Sequence, residues 1–443
     1  MNVTSQIFDP AYSDLETRSI FSDEALIARM LQVECALAQV QSRLRIIPRD
    51  AAAAIEAAAD HFEPDYEGLS AGAERDGFPV TALLAQLRER IEPAHAGFLH
   101  WGATTQDVID TSVVLQVRVA LKRAEALIEP LGARLVEMAD AHRGSVMPAR
   151  THAQQALPTT FGLKAAGWLA PLLRHLDRLA ELRERILVVQ FGGAAGTLAA
   201  LGSRGVEVAA GLASELGLGI PELPWHNQRD RVAETAGWLS LVTGSLAKMA
   251  GDVILMSQSE IGEVRESAEI GRGGSSTMPQ KRNPIVSERI RAAARINSTL
   301  LSAVHQAQVQ EHERGTHGLQ VELLTLPRMF ALTNGALANA YWLANHMVVD
   351  VEAMRRNVEA ADGLIVAEAL VFSLAGEMGR VEAKRIVGEA CRTTMETGRH
   401  LVDVVRERTG SDLDWEALKD EKNYLGSADA FIDAILEKAR SRA

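Results

Sequence analysis

The chain has 443 residues, 47% hydrophobic and 23% charged, with a mean hydropathy close to zero. Such a composition suits a soluble globular protein of two or three domains. The formal net charge of −12, without a basic stripe, excludes a nucleic-acid-coating surface. It still permits an anionic small molecule, which a few clustered Arg and Lys can hold.

The opening "MNVTSQIFDPAYSD" has neither the basic nor the apolar segment of a signal peptide. Cys35 and Cys391 fall in helical surroundings and read as two reduced thiols, which points to the cytoplasm. Leu26, Met30, Val33, Leu37 and Val40 step by four and three, marking one face of a helix. Pro48, Pro64, Pro79 and Pro93 then divide residues 47–100 into shorter helical pieces.

A first polar island, "HWGATTQDVIDT", runs from His100 to Thr111. Thr104 or Thr105 can cap the helix that follows, with Asp107 in its first turn and an anion-friendly N-terminus. Long helices are predicted over Asp107–His142, Leu157–Val189, Arg229–Glu266, Pro284–Gln310 and Glu322–Val349. All exceed the usual length of about 10–14 residues, as a bundle or an oligomer core requires. β-branched alternation is scarce, so any sheet should be small.

Between the first two of these helices lies a second island, "PARTHAQQALPTT", with Arg150, Thr151, His152, Gln154 and Gln155. In Arg229–Glu266 two heptad rows coexist: Val232, Leu239, Leu246 and Val253 on one face, Gly237, Gly244 and Gly251 on another. The large residues suit a near-parallel helix seam, and the glycines suit close approach by further helices. One chain can hardly supply that many neighbours, so an oligomer is expected. The Trp238–Met256 segment is the most apolar run, but Lys248 and Asp252 mark it as a buried soluble helix, and no membrane contact is expected.

The third island, "GRGGSSTMPQKRNP", interrupts the helices from Gly271 to Pro284. Its glycines and the helix start near Pro284 read as a nest of N–H groups for a carboxylate or phosphate, with Lys281 and Arg282 beside it. It is not a P-loop, because the lysine stands seven residues after Gly274 and no hydroxyl follows it. A fourth segment, "QEHERGTHGLQVE", places His312 and His317 five apart, about 140° around an ideal helix. No metal site is predicted. Three domains are expected: residues 1–104 helical, 105–355 carrying the long bundle and the third island, and 356–443 small and helical.

Together the islands resemble those of the fumarase/aspartase superfamily of lyases. "GSSTMPQKRNP" matches its GSSxMPxKxNP motif at every specified position, "RTHAQQA" its T-H-x-Q-x-A region, and "HWGATTQD" its HxGxTSxD region with Thr105 in place of serine. Within the superfamily, "WHNQRDRVAETAGWLSLVTGSLAKMAGDVILM" and "QEHERG" are most similar to the bacterial branch that cyclises carboxymuconate. The stretch after Arg314 lacks the tryptophan expected there. C–N lyases acting on adenylosuccinate or nitrosuccinate share the same islands.

The resemblance implies an all-α, three-domain fold whose long central helices form the core of a homotetramer, each active site being built from three subunits. It implies a di- or tricarboxylate substrate, no cofactor, and removal or delivery of a proton beside a carboxylate through an aci-carboxylate dianion. Ser275 is then the proton-transfer residue, activated by Lys281 and loop N–H groups. His152 positions and polarises the substrate, and acts as the acid in a C–N lyase. Thr104, Thr105, Arg150, Thr151, Gln154, Ser276, Met278, Asn283 and Arg314 would bind substrate, the Arg314 fork holding a second carboxylate. The third island becomes a closing lid and anion cradle.

Overall fold

The computed structural model describes residues 5–267, 273–274 and 276–442. It is all-α apart from two small antiparallel ladders. The elements that matter for function are α1 (Asp23–Arg43), α2 (Thr105–Ala141), β1 (Val146–Thr151), β2 (Gln154–Thr160) and α3 (Phe161–Ile186). They continue with α4 (Asp230–Met256), β3 (Val264–Glu266), α5 (Ile285–Ala307), α6 (Gly318–His346) and β4 (Met347–Val349). All five predicted long helices are present, and short helices fill the C-terminal part.

Three predicted helix ends are strands or turns instead. Leu157–Thr160 belongs to β2, where Pro158, Thr159 and Thr160 pair with β1 and the two threonines favour extended backbone. Thr160 then starts α3 by accepting a hydrogen bond from Leu163 N at 3.1 Å. The predicted Arg229–Glu266 helix stops at Met256. The chain reverses there, Glu263 N donating to Met256 O and Gly262 taking a left-handed φ of 63° that a side chain would strain. It then enters β3, which pairs with β4 from Val264↔Val349 to Glu266↔Met347 and so ends α6 at His346.

The chain divides into two compact units. One comprises Met1–Ala126, His175–Thr243 and Ala293–Ala336, the other Leu127–Arg174, Gly244–Ala292 and Leu337–Ala443. The core of the first includes Met30, Val33 and Leu37 of α1, as their spacing predicts, packed with Leu83, Leu87, Leu115 and Leu212. The second has a C-terminal core of Leu370, Leu374, Val387, Leu401, Val405 and Trp415. Burial on this scale, roughly 1.5–3 kcal/mol per large apolar side chain, makes these faces the main source of stability.

In α4 the expected burial is only half realised. Leu239, Leu246 and Val253 are buried. Among the described residues, a Cβ added at Gly237, Gly244 or Gly251 would meet nothing within 4 Å, and Leu241 and Leu255 are 51% and 56% exposed. The helix is long and apolar enough to cross a membrane by length and composition alone. Its Lys248 is paired with Asp252, which also accepts a hydrogen bond from Trp168 Nε1 at 2.7 Å.

Candidate active site

The first unit builds its site around the entry to α2. Before the helix, His100 takes a left-handed φ of 65°, and α1 supports the turn from below. Gln41 Nε2 donates to Trp101 O at 2.7 Å, and His100 Nδ1 lies 2.6 Å from Glu34 Oε1. Burial opposes charge on His100, but the Glu34 carboxylate, with help from Asp107, outweighs it and raises the imidazole pKa.

Asp107 does far more than favour the helix dipole. Its Oδ1 accepts from Gly192 N at 2.9 Å, Gln190 Nε2 at 3.2 Å and His226 Nε2 at 2.7 Å. Its Oδ2 accepts from Gly193 N at 2.9 Å and Thr104 N at 3.0 Å. One buried carboxylate thus fixes three chain segments. Thr104 is thereby presented to Arg314, whose Nη1 donates to Thr104 Oγ1 at 3.0 Å while Nε donates to Gln106 Oε1 at 3.3 Å. Gln106 is held in turn by His226 O and Asp110.

Beneath this layer Arg229 is buried between Asp110, with two bonds of 2.8 Å, and Glu322. Its guanidinium stacks 4.8 Å from the Trp225 ring centroid. Burial, reinforced by Asp110, keeps Glu322 above the usual carboxylate range despite Arg229. Among the described residues no carboxylate pairs with Arg314, so its positive charge, unlike that of Arg229, is not cancelled by a neighbour. A threonine hydroxyl beside such a guanidinium suits a substrate carboxylate.

The second unit carries the other two islands. β1 and β2 pair from Val146↔Thr160 to Thr151↔Gln154, with a bulge between Pro148 and Arg150. His152 and Ala153 form the two-residue turn, both left-handed at φ 47° and 64°. This geometry fits the twist of a hairpin but is usually filled by Asn-Gly. Thr151, His152 and Gln154 are all exposed at its tip.

Arg150 points elsewhere. Its two terminal nitrogens bond the fully buried Glu263 at 2.8 and 2.6 Å, and Asn357 Nδ2 reaches the same carboxylate at 2.8 Å. Arg150 therefore ties the hairpin down. Lys164, in the first turn of α3, has its pKa lowered by burial, partly offset by Asp252.

At the third island, Ser275 and residues 268–272, which lead into it and begin it, lie outside the described residues. Around them Gly274 bridges to Arg282, and Asn283 N donates to Gly273 O at 2.8 Å. Gly273 has φ 73°, and a Cβ there would lie 2.4 Å from Asn283 O, so only glycine fits. Ser276, Met278, Lys281 and Arg282 are exposed and Asn283 is half-buried.

The helix start after Pro284 does not offer the open anion site that was predicted. Glu266 already occupies it, accepting from Val286 N at 3.1 Å and from Ser287 N and Ser287 Oγ at 2.8 Å each. The exposed cationic side chains beside it are Lys281 and Arg282. Among the described residues no group of three His, Cys, Asp or Glu is placed to hold a metal ion.

Thr104, Thr105 and Arg314 thus belong to the first unit, and Arg150, Thr151, His152, Gln154, Ser276, Met278, Lys281 and Asn283 to the second. Sequence reasoning did not find the roles of His100, Asp107, His226 and Glu266. His100, Asp107 and His226 lie inside quoted motifs and Glu266 at the end of a predicted helix, but the partners that define their roles (Glu34, Gly192, Asp107 and Ser287) are at least twenty residues away, so no local pattern reveals them.

A family model described as lyase matches residues 6–296, and one described as adenylosuccinate lyase C-terminus matches residues 363–435. A 3-carboxy-cis,cis-muconate cycloisomerase of Pseudomonas aeruginosa is 42% identical, covering 98% of this chain and 96% of its own. Trans-aconitate decarboxylase 1 of Mycosarcoma maydis is 40% identical, covering 96% of this chain and 87% of its own. The crystal structure of the 3-carboxy-cis,cis-muconate lactonizing enzyme from Pseudomonas putida has a TM-score of 0.91 at 39% identity, covering 99% of each chain.

Proposed function

The chain belongs to the fumarase/aspartase superfamily of lyases, and on that premise we propose that it cyclises 3-carboxy-cis,cis-muconate to a carboxymuconolactone. The observation that carries this reading is the 42% identity to a cycloisomerase over nearly the full length of both chains. The uncancelled Arg314 beside Thr104 agrees with it, because a tricarboxylate needs more than one anion site.

In the forward direction a substrate carboxylate oxygen bonds to the far end of a conjugated double bond. The displaced π electrons pass to the carbon beside another carboxylate, giving an aci-carboxylate dianion. A proton delivered to that carbon completes the lactone. Lys281 and the Asn283 amide stabilise the growing charge on the carboxylate oxygens, and Ser275 transfers the proton. Arg314 and Thr104 hold a further carboxylate. His152 positions and polarises the substrate, since a carboxylate needs no protonation to leave in the reverse direction. The enzyme works in the cytoplasm as a homotetramer with active sites shared between chains, and the exposed glycine and leucine face of α4 supports that assembly.

The test is the loss of diene absorbance in the ultraviolet when purified protein meets carboxymuconate, with trans-aconitate and adenylosuccinate as controls. Turnover of a control alone overturns the assignment. With the true substrate in hand, Ser275→Ala should lower kcat far more than His152→Gln. Equal, near-complete losses would instead indicate a lyase with a basic leaving group.

A further inference from the structure

We propose that Glu266 is a positioning residue for Lys281 and Asn283, setting where the third island delivers its cation and amide. The inference rests on the reading that those two side chains meet the substrate. Glu266 ends β3, where pairing with Met347 of β4 fixes its backbone. Its side chain is almost fully buried, with the residue 9% exposed. Both carboxylate oxygens are used, on Val286 N, Ser287 N and Ser287 Oγ.

The helix start of α5 is therefore capped from twenty residues upstream. Other helices of this chain use a residue directly before them: Asp14, Ser22, Asp350 and Asp414 each accept from an N–H three residues ahead. At α5 that place is taken by Asn283-Pro284, and a local cap through Asn283 Oδ1 would tie that side chain to the helix start. The long-range cap does not draw on the Asn283 side chain and supplies what a local one cannot, a fixed distance between β3 and the residues leading into α5. Asn283 lies three residues before Val286, and its own N–H is bonded to Gly273 O, so an error at the helix start passes directly to Asn283 and Lys281.

A displacement of about 1 Å in a catalytic group can cost on the order of 100-fold in rate. Glu266→Gln keeps the size and one acceptor but turns an amide donor toward an N–H. Full-length Glu266→Gln is expected to lose about 10- to 100-fold in kcat, with a smaller change in KM. Trypsin should cleave after Lys281 and Arg282 about tenfold faster than in the wild type, as expected for one lost charge-assisted hydrogen bond. Ser287→Ala, which removes only the hydroxyl contact, should change neither by more than about threefold.

Wild-type cleavage rates at Lys281 and Arg282 would overturn the proposal. So would faster cleavage across the whole chain with a matching fall in Tm, which would make Glu266 a general support. The cleavage assay needs no substrate. A wild-type protein inert toward carboxymuconate would overturn the proposed activity, while the trypsin result still decides the role of Glu266.

Discussion

His100 illustrates how a buried acid can set the charge of a neighbour. Burial alone would hold the imidazole neutral, yet Glu34 at 2.6 Å reverses the balance and raises the pKa above its ordinary value of 6.5. A raised folded pKa means that the pair stabilises fully below about pH 6.5 and loses that contribution as pH rises through the folded value. The Tm difference between wild type and His100→Gln should therefore be largest in mild acid and shrink toward alkaline pH. A difference that grows with pH would contradict the charged pair. The same scale separates two arginines that look alike in sequence. Arg150 is neutralised by Glu263, whereas Arg314 bonds only neutral oxygens among the described residues, and the deciding carboxylate lies 113 positions from Arg150.

Among the elements, the long helices were legible because their apolar residues repeat with the period of a helix face, as Met30, Val33 and Leu37 do. The errors fell where that signal is absent. β3 and β4 have three residues each, too few for alternation to register, and β4 directly continues the α6 run. The hairpin carrying His152 was hidden for another reason: its turn is His-Ala, not the Asn-Gly that announces such a geometry. Holding alanine at φ 64° costs about 1–2 kcal/mol, which glycine would avoid at an entropic cost of about 0.4–1 kcal/mol in the unfolded chain. Ala153→Gly should thus be neutral to stabilising, by up to about 1.6 kcal/mol in urea unfolding, with kcat little changed because His152 remains. Clear destabilisation would show that Ala153 makes a contact worth more than its strain.

For the whole molecule, the face that α4 leaves open poses the largest energetic question. Leu241 and Leu255 remain exposed along it, and the three glycines have room for a side chain within their own chain. Glycine costs about 1 kcal/mol relative to alanine inside a helix, so three in one heptad row need a compensating contact that none of the described residues supplies. Other copies of α4 and its neighbours would supply it. Gly244→Leu tests this directly, because the single chain can accommodate the new side chain and an assembled core cannot. The variant should keep its helical circular dichroism, sediment as species smaller than a tetramer and lose nearly all activity. Normal sedimentation with normal turnover would remove the assembly from the proposal. If assembly holds, sharing of sites can be measured by mixing inactive His152→Ala and Ser275→Ala tetramers and allowing subunits to exchange. When the two residues serve one site from different chains, some mixed tetramers contain sites with both residues intact, and part of the activity returns. When one chain supplies both, every site keeps a defect and exchange restores nothing. Recovery in Gly244→Leu versions of the same pair should fail, which ties the regained activity to the α4 face.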